Sequence, residues 1–195
     1  PNDNLRMLEL VRSSSTPTVG LCMGEIGTPS RVLAGQFGAA FTFAPINPEK
    51  ILAPGQIPWK QLCEMYRYDA ITPSTKVYGV IADPVGHSLS PVVHNAACAA
   101  AGIDAVYLPF LVPKGHLGDV LKNSKRWPRA GLSVTIPHKE NLVGFASSQG
   151  DLVEEIGAAN TISFDGETRA MKVFNTDVTC LLYTSDAADE LCSGV

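Results

Sequence analysis

The chain has 195 residues, of which 45% are hydrophobic and 17% are charged, and its formal net charge is -4 at pH 7. This composition is typical of a folded globular protein of one or two domains and excludes an intrinsically disordered chain. The acidic balance excludes the basic face that nucleic-acid binding requires, and no apolar run is long enough to cross a bilayer.

The cysteines and histidines indicate no metal site. Neither set has the close spacing of a zinc or redox motif, and we predict reduced, buried thiols and structural or solvent-facing imidazoles, with no metal bound. The residues are Cys22, Cys63, Cys98, Cys180, Cys192, His87, His94, His116 and His138. The N-terminus lacks a signal-peptide pattern, so we expect a cytoplasmic protein, or a plastid one if the source is plant-like. The first residue is Pro1, not Met, and we expect the true start to lie upstream.

Residues 1–70 have the strand–helix alternation of a parallel α/β fold. Hydrophobic spacing predicts helices at 5–12, 32–37 and 59–68 and strands at 17–23 and 41–44. Arg31 and Gln56 each follow a predicted strand, where α/β folds place ligand contacts. The forked guanidinium of Arg31 can clamp a carboxylate, although a surface pair with Glu25 would explain this arginine equally well.

This first segment resembles the C-terminal end of type I 3-dehydroquinate dehydratase. The resemblance rests on Met23-Gly24, Gly27, Ser30-Arg31, Phe-Thr-Phe-Ala at 41–44 and Ala-Pro-Gly-Gln at 53–56. It implies the last part of a (β/α)8 barrel, with Arg31 and Gln56 binding the keto substrate. Leu52 departs from the family, which often has a substrate-binding serine there. The resemblance also implies that the Schiff-base lysine and its histidine fall before residue 1, so that no dehydratase activity resides in this chain.

The next segment begins with a polar stretch at 71–76, which we predict to be a linker. The apolar run 77–82 predicts a buried strand, and Ser90-Pro91 predicts the start of a helix, with Ser90 as the N-cap. Gly102 is placed to end that helix in the left-handed conformation. The free N–H groups of the helix start, with Ser88 and Ser90 beside them, favour a small carboxylate; a plain serine cap with no ligand is the alternative.

The remaining sequence predicts an open, mostly parallel α/β sheet. Further strands are predicted at 105–111, 130–136, 157–164 and 172–176, with helices at 116–123, 141–146 and 151–156. Asp165-Gly166 is typical of a hairpin turn.

Polar residues gather at the ends of these strands, namely Ser88, Ser90, Thr135, Lys139, Asn160 and Asp177. In an open α/β sheet such ends meet along one crevice, and hydroxyl and amide groups suit a polyhydroxylated acid. Lys139 and Asp177 together could act as a general acid/base pair on a substrate hydroxyl. Singly, Lys139 could be a solvated residue at a helix start and Asp177 an N-cap. Asn160 could satisfy backbone groups in a turn, and Thr135 could be an ordinary strand residue.

Four motifs in order resemble the substrate-binding domain of shikimate dehydrogenase over residues 76–179. They are Gly-His-Ser-Leu-Ser-Pro at 86–91, Gly-Leu-Ser-Val-Thr-Ile-Pro-His-Lys-Glu at 131–140, Gly-Ala-Ala-Asn-Thr at 157–161 and Asn-Thr-Asp at 175–177. The resemblance implies that Ser88 and Ser90 bind the carboxylate of shikimate or 3-dehydroshikimate, and that Thr135 and Asn160 contact its ring hydroxyls. Lys139 and Asp177 would be the catalytic pair while a hydride passes between the ring and NADP. Val173 departs from the glycine that this family usually has before Asn-Thr-Asp.

The order of the two resemblances is that of the bifunctional 3-dehydroquinate dehydratase–shikimate dehydrogenase family of aromatic amino-acid synthesis. The sequence has no Gly-x-Gly-x-x-Gly turn, so we expect the NADP-binding domain to be absent from this chain and its partners to be the missing domains of the same polypeptide. The chain alone would then bind substrate without turnover. A quinate dehydrogenase and a non-catalytic binding module remain alternatives.

The end of the chain fits neither family. Residues 180–195 resemble a translated sequencing adapter, and we expect the natural sequence to leave this chain near Thr179. A genuine short acidic helix is the alternative. The predicted organisation is therefore a barrel fragment at 1–70, a linker at 71–76, a substrate-binding domain at 77–179 and an artefactual tail at 180–195.

Overall fold

The computed structural model describes residues 2–123, 129–168 and 170–178. A six-stranded sheet forms its centre, with the spatial order β2-β1-β3-β5-β6-β4. The strands are β1 (Lys76–Ala82), β2 (Ala105–Leu111), β3 (Arg129–Val134), β4 (Ser148–Gln149), β5 (Thr161–Phe164) and β6 (Met171–Phe174). Three strand pairs are parallel (β1 with β2, β1 with β3, β4 with β6), whereas β5 is antiparallel to both β3 and β6. The predicted open, mostly parallel α/β sheet is confirmed.

The helices are short, apart from the first and the fourth. They are α1 (Asn2–Ser13), α2 (Thr28–Val32), α3 (Trp59–Glu64), α4 (Ser90–Ala100), α5 (Leu117–Lys122), α6 (Lys139–Leu142) and α7 (Val153–Ile156). Single turns of 3-10 helix occur at Glu25–Gly27, Gly35–Phe37, Pro48–Lys50, Tyr68–Ala70 and Val143–Phe145. Gly102 has φ +67°, so the predicted left-handed end of α4 is confirmed.

The two strands predicted in the first segment are wrong. Residues 17–23 and 41–44 have irregular backbone, and one hydrogen bond, from Ala40 N to Thr18 O (3.1 Å), links their neighbourhoods. A strand is defined by a ladder of such bonds to a neighbour, and an apolar run that finds no partner strand remains irregular. The described part of residues 1–75 therefore contributes helices and loops, but no strand.

Alternation along β1 divides its side chains between two covered faces. Val77 and Ile81 belong to the large apolar cluster that also contains residues of α1 and α2. Val80 belongs to a smaller cluster with Tyr107 on the face next to α4. The sheet is thus a middle layer between the N-terminal helices and α4.

The core runs without interruption from the first segment into the sheet. Leu8 and Leu33 are fully buried in the same cluster as Ile81, Leu108 and Leu142. The first segment therefore covers an apolar sheet face that would otherwise be exposed to water.

The stretch predicted as a linker is anchored at Thr75. Its carbonyl accepts a hydrogen bond from Gln36 Nε2 (2.9 Å), and its buried hydroxyl donates to Asp104 Oδ1 (2.7 Å). These contacts hold the chain just before β1 against both halves of the protein.

Two further predictions concern the cysteines and the tail. Cys22, Cys63 and Cys98 are free thiols, as expected, but they are half-buried rather than buried. Cys180, Cys192 and the whole predicted tail lie outside the described residues. In the part of the chain that the structure describes, no helix has the length and apolarity needed to cross a membrane.

Candidate active site

The sheet topology brings the predicted site residues to one edge. Strands β1 and β3 are parallel, so Ser88 and Thr135 both follow carboxyl ends at the same edge. Strand β5 is antiparallel to β3, so Asn160, which precedes β5, lies at this edge too. Strand β6 runs back towards it, and Asp177 follows β6. Loops from four different strands therefore form the candidate site.

Lys139 and Asp177 form a direct ion pair at this edge. Lys139 Nζ lies 2.7 Å from Asp177 Oδ2, and the side chains are 35% and 49% exposed. Lys139 is the first residue of α6, and its carbonyl accepts a hydrogen bond from Ala159 N (2.9 Å), which fixes the helix start against the strand β5 region. A lysine and a carboxylate in contact, both open to solvent, can exchange a proton with a bound hydroxyl.

The electrostatics of the pair favour the charged carboxylate. The hydrogen bond from Lys139 lowers the pKa of Asp177 below its ordinary value, and the nearby Asn160 side chain lowers it further against the opposing effect of desolvation. The Asp177 N–H donates to Asn175 Oδ1 (3.1 Å), so the turn after β6 holds the aspartate in place.

Asn160 is the buried junction between three strands. Its side-chain oxygen accepts from Thr161 Oγ1 (2.9 Å) and Thr176 N (3.1 Å), and its Nδ2 donates to Thr176 Oγ1 (3.0 Å). Its backbone carbonyl accepts from Val134 N (2.7 Å), which joins β3 to this point. The structural role anticipated for Asn160 is therefore present, and any substrate contact would add to it.

Thr135 lies in the loop between β3 and α6. Its N–H donates to Ile81 O (3.0 Å), and its carbonyl accepts from His138 N (2.9 Å). These bonds hold Thr135 beside the end of β1, four residues before Lys139. Its side chain is half-exposed at the shared edge.

The two serines have different surroundings, and the predicted N-cap is corrected. Ser90 is the first helical residue of α4 and Leu89 precedes it; the hydroxyl of Ser88 accepts a hydrogen bond from Ser90 N (3.3 Å). Helix entry thus falls one residue earlier than Ser90-Pro91 suggests, because proline is tolerated throughout the first turn.

Ser88 also faces the first segment of the chain. Ser88 lines a cavity of about 360 Å³ whose other wall comes from the first segment, including Glu25 and Gln56.

Sequence reasoning missed Tyr107, which supports Ser90. Its phenol donates to Ser133 Oγ (2.9 Å) and also has the Ser90 hydroxyl within hydrogen-bonding reach. His94 stacks on its ring with a centroid distance of 4.4 Å. Burial raises the pKa of Tyr107, so it remains a hydroxyl donor. In the sequence, the only indication of this role is the position of Tyr107 in the alternating pattern of β2.

Arg31 and Gln56 meet at the turn 53–56. Arg31 is 2% exposed and donates from Nη2 to Pro54 O (3.3 Å), while Gln56 Oε1 accepts from Leu52 N (2.9 Å). The proposed surface pair with Glu25 is wrong, because the guanidinium is buried, and this burial lowers the pKa of Arg31. Both side chains stabilise the turn in this structure.

The β1–α4 loop does not have the form of a dinucleotide-binding turn. A pyrophosphate needs a glycine-rich turn that lets the backbone approach closely. The β1–α4 loop has Gly86, but a Cβ placed there would lie 2.8 Å from Glu25 Oε1, so a side chain already fills the approach to the backbone. Among the described residues, no group of histidines, cysteines and carboxylates is arranged to hold a metal ion.

Comparison with known proteins gives two family matches along the chain. Residues 1–73 match the family described as type I 3-dehydroquinase, and residues 80–162 match the shikimate dehydrogenase substrate binding domain. A bifunctional 3-dehydroquinate dehydratase/shikimate dehydrogenase, chloroplastic, from Arabidopsis thaliana is 39% identical over 90% of this chain, which covers 29% of that protein. A shikimate dehydrogenase (NADP(+)) from Thermococcus kodakarensis is 50% identical over 45% of this chain and 32% of its own length.

Solved structures agree with the sequence relatives. A shikimate 5-dehydrogenase from Listeria monocytogenes, in complex with shikimate and NAD, has a TM-score of 0.56 and 34% identity, covering 61% of this chain and 40% of that one. The chain therefore spans less than half the length of these relatives. Residues 1–73 of the chain are thus similar to a type I 3-dehydroquinase, and residues 80–162 are similar to a shikimate dehydrogenase substrate-binding domain.

Proposed function

We propose that residues 77–178 bind shikimate or 3-dehydroshikimate, as the substrate-binding part of an NADP-dependent shikimate dehydrogenase that is fused to 3-dehydroquinate dehydratase. The observation that supports this most is the 2.7 Å contact between Lys139 and Asp177 at the strand edge where the other predicted ligands gather. The Arabidopsis relative, which carries both activities by name, matches 90% of this chain.

The ion pair suggests how a substrate hydroxyl is handled. Lys139 Nζ and the Asp177 carboxylate bracket a position where a ring hydroxyl can hydrogen-bond to both. As the hydroxyl becomes a carbonyl, its proton passes to this pair, and in the reverse direction the pair returns it. NADP, where bound, accepts or supplies the hydride; the residues described here only position the substrate and move the proton.

The substrate carboxylate belongs at the start of α4. Ser88 and Ser90 present hydroxyl groups there, and the dipole of α4 favours an anion at the helix start. Thr135 and Asn160 lie between the serines and the ion pair along the sheet edge. We therefore propose that the carboxylate binds near β1 and the reacting hydroxyl near β6.

For the first segment, we propose that Arg31 and Gln56 contribute substrate contacts to the dehydratase part of the whole protein. Arg31 supports this because its Nε is buried without a hydrogen bond in the described residues, which leaves it free to donate to an anion. We place the protein in the cytoplasm, or in the plastid if the source is plant-like, as for the Arabidopsis relative.

Calorimetric titration of the full chain with shikimate tests the binding proposal. Lys139→Met should weaken binding by about 10-fold to 100-fold, because a hydrogen bond from a charged group contributes about 1.5–3 kcal/mol. Ser88→Ala should weaken it by a smaller factor. Lys76→Met, at the opposite edge of the sheet, is the matched control and should bind as the wild type. Equal affinity for all variants, or no binding by the wild type, would contradict the proposal.

A second titration separates binding from turnover. With NADP added to the shikimate-saturated chain, we expect no rise in absorbance at the NADPH band, because the sequence has no Gly-x-Gly-x-x-Gly turn. A rise above the protein-free rate would show that the cofactor binds elsewhere in the chain.

A further inference from the structure

His138 is the residue immediately before Lys139, and it is completely buried. Its Nε2 lies 2.7 Å from Val112 O. A carbonyl oxygen can only accept, so the ring proton sits on Nε2. The other ring nitrogen, Nδ1, has no hydrogen-bond partner among the described residues. The buried imidazole is therefore held by one directed hydrogen bond among the described residues.

That contact joins the ends of three neighbouring strands. Val112, the acceptor, follows β2, and its N–H donates to Ala82 O at the end of β1 (3.1 Å). His138 itself belongs to the loop after β3, where its N–H donates to Thr135 O (2.9 Å). The ring thus fixes the β3–α6 loop against both adjacent strand ends.

The backbone of Lys139 is consequently held from two sides. On one side the carbonyl of His138 accepts from Leu142 N (3.0 Å), which starts α6 at a fixed place. On the other side Ala159 N donates to Lys139 O (2.9 Å). A lysine has a long flexible side chain, so a fixed backbone is what limits where its ammonium group can reach.

We propose that His138 is a positioning residue: its buried imidazole, anchored on Val112 O, fixes the start of α6 so that Lys139 Nζ meets Asp177 and, with it, the substrate hydroxyl. The last clause rests on the function proposed above; the placement of the ion pair does not. An apolar ring at this position would fill the same space but would leave the buried Val112 carbonyl without its donor.

The variants His138→Phe and His138→Gln distinguish the effect of filling the buried space from the effect of the hydrogen bond to Val112 O. Glutamine carries its Nε2 four bonds from Cα, as histidine does, and can restore the bond to Val112 O. Phenylalanine cannot. His116→Gln removes a histidine from an exposed site next to Asp119 and serves as the matched control.

The first measurement is the titration of the Asp177 side chain in the full chain by carbon NMR. In the wild type, His138→Gln and His116→Gln we expect the pKa of Asp177 below the ordinary range, because Lys139 still donates to it. In His138→Phe we expect this pKa to rise towards the ordinary value. A general loss of stability without displacement of Lys139 would not change it, so an unchanged titration in His138→Phe overturns the inference.

The second measurement is shikimate affinity by calorimetry. We expect the dissociation constant for shikimate to rise about 10-fold in His138→Phe, because the charge-assisted hydrogen bond from Lys139 to the substrate is no longer aligned. The other two variants should have dissociation constants near that of the wild type. If the wild type itself fails to bind shikimate, the proposed function fails, while the Asp177 titration still decides the role of His138.

A third measurement needs no variant and covers the case in which His138→Phe does not fold. Nitrogen NMR of the wild-type imidazole should show the proton of His138 on Nε2. A proton on Nδ1 would break the contact with Val112 O and overturn the inference.

Discussion

At the scale of single residues, Asp177 shows how a half-exposed group acquires a defined charge. Lys139 donates to its carboxylate, which lowers its pKa in the folded state. A lowered pKa in the fold means that the charged carboxylate stabilises the protein above the unfolded pKa of about 3.9, and that this stabilisation is lost as the pH falls through the folded value.

We therefore expect the effect of Asp177→Asn on the free energy of unfolding to depend on pH. Between pH 5 and 7 the variant should be less stable by about 0.2–1 kcal/mol, the usual size for an ion pair open to solvent. Below about pH 4 the difference should shrink, as measured by urea unfolding. In a Lys139→Met background the same substitution should cost less, and a difference that persists unchanged at pH 2 would contradict this account.

The residues of the site differ in how well the sequence alone predicts them. Lys139 follows β3, Asn160 precedes β5 and Asp177 follows β6, and the sheet topology brings these positions to one edge. His138 and Tyr107 act through burial and a directed hydrogen bond. Neither property leaves a mark in a single sequence, since a histidine in a loop is usually solvated.

At the scale of elements, the edge strand β2 is protected by one side chain of α4. Buried Asn95 accepts from Tyr107 N (2.9 Å) and donates from Nδ2 to Tyr107 O (2.8 Å) and Pro91 O (2.7 Å). Its amide occupies the backbone groups that an edge strand would otherwise leave open. Asn95 also holds the first turn of α4, where Ser90 lies.

Asn95→Ala should accordingly destabilise the chain by about 3 kcal/mol in urea unfolding, because it leaves buried backbone groups without partners. Asn123→Ala removes one half-exposed bond to Asp119 O and should cost about 0.5 kcal/mol or less. Equal effects for the two substitutions would show that Asn95 does not close the strand edge.

Strand β1 depends on a close approach at Gly79. A Cβ there would lie 2.3 Å from Leu108 O and 2.5 Å from the Phe110 ring, so β1 and β2 would have to move apart. Gly79→Ala should cost about 1–3 kcal/mol or more. Gly144→Ala meets open space and should be neutral or stabilising by about 0.4–1 kcal/mol. Thermal unfolding of both variants measures the difference in stability between them. If Gly79→Ala is tolerated, the register of the β1–β2 pair described here is contradicted.

Element prediction succeeded where pairing and burial coincide. The predicted bounds of strands β1 and β2 agree with the observed bounds to within one residue. Both strands are buried runs of β-branched or aromatic residues that lie next to each other in the sheet. The runs at 17–23 and 41–44 have similar composition but no ladder. Whether an apolar run becomes a strand is decided by a partner that the local sequence does not contain.

At the scale of the whole molecule, the shared core has a consequence for how the chain unfolds. Leu33 of the first segment and Ile81 of β1 are both fully buried in one cluster. Two segments with family matches of their own are therefore coupled through apolar contacts. Two hydrogen bonds add to this coupling: Gln36 donates to the carbonyl of Thr75, and Arg67 donates to Ala105 O (3.3 Å). Opening either one exposes the apolar surface of the other.

We expect Leu33→Ala to lower the free energy of opening by about 2–5 kcal/mol, the usual range for a buried leucine. Because the core is continuous, native-state hydrogen exchange should show the same decrease at slowly exchanging amides of α1 and of β1. Leu52→Ala, in the same segment but 91% exposed, should change neither by more than about 0.5 kcal/mol. If only the amides of α1 respond to Leu33→Ala, the first segment opens independently, and the sheet keeps its stability without that cover.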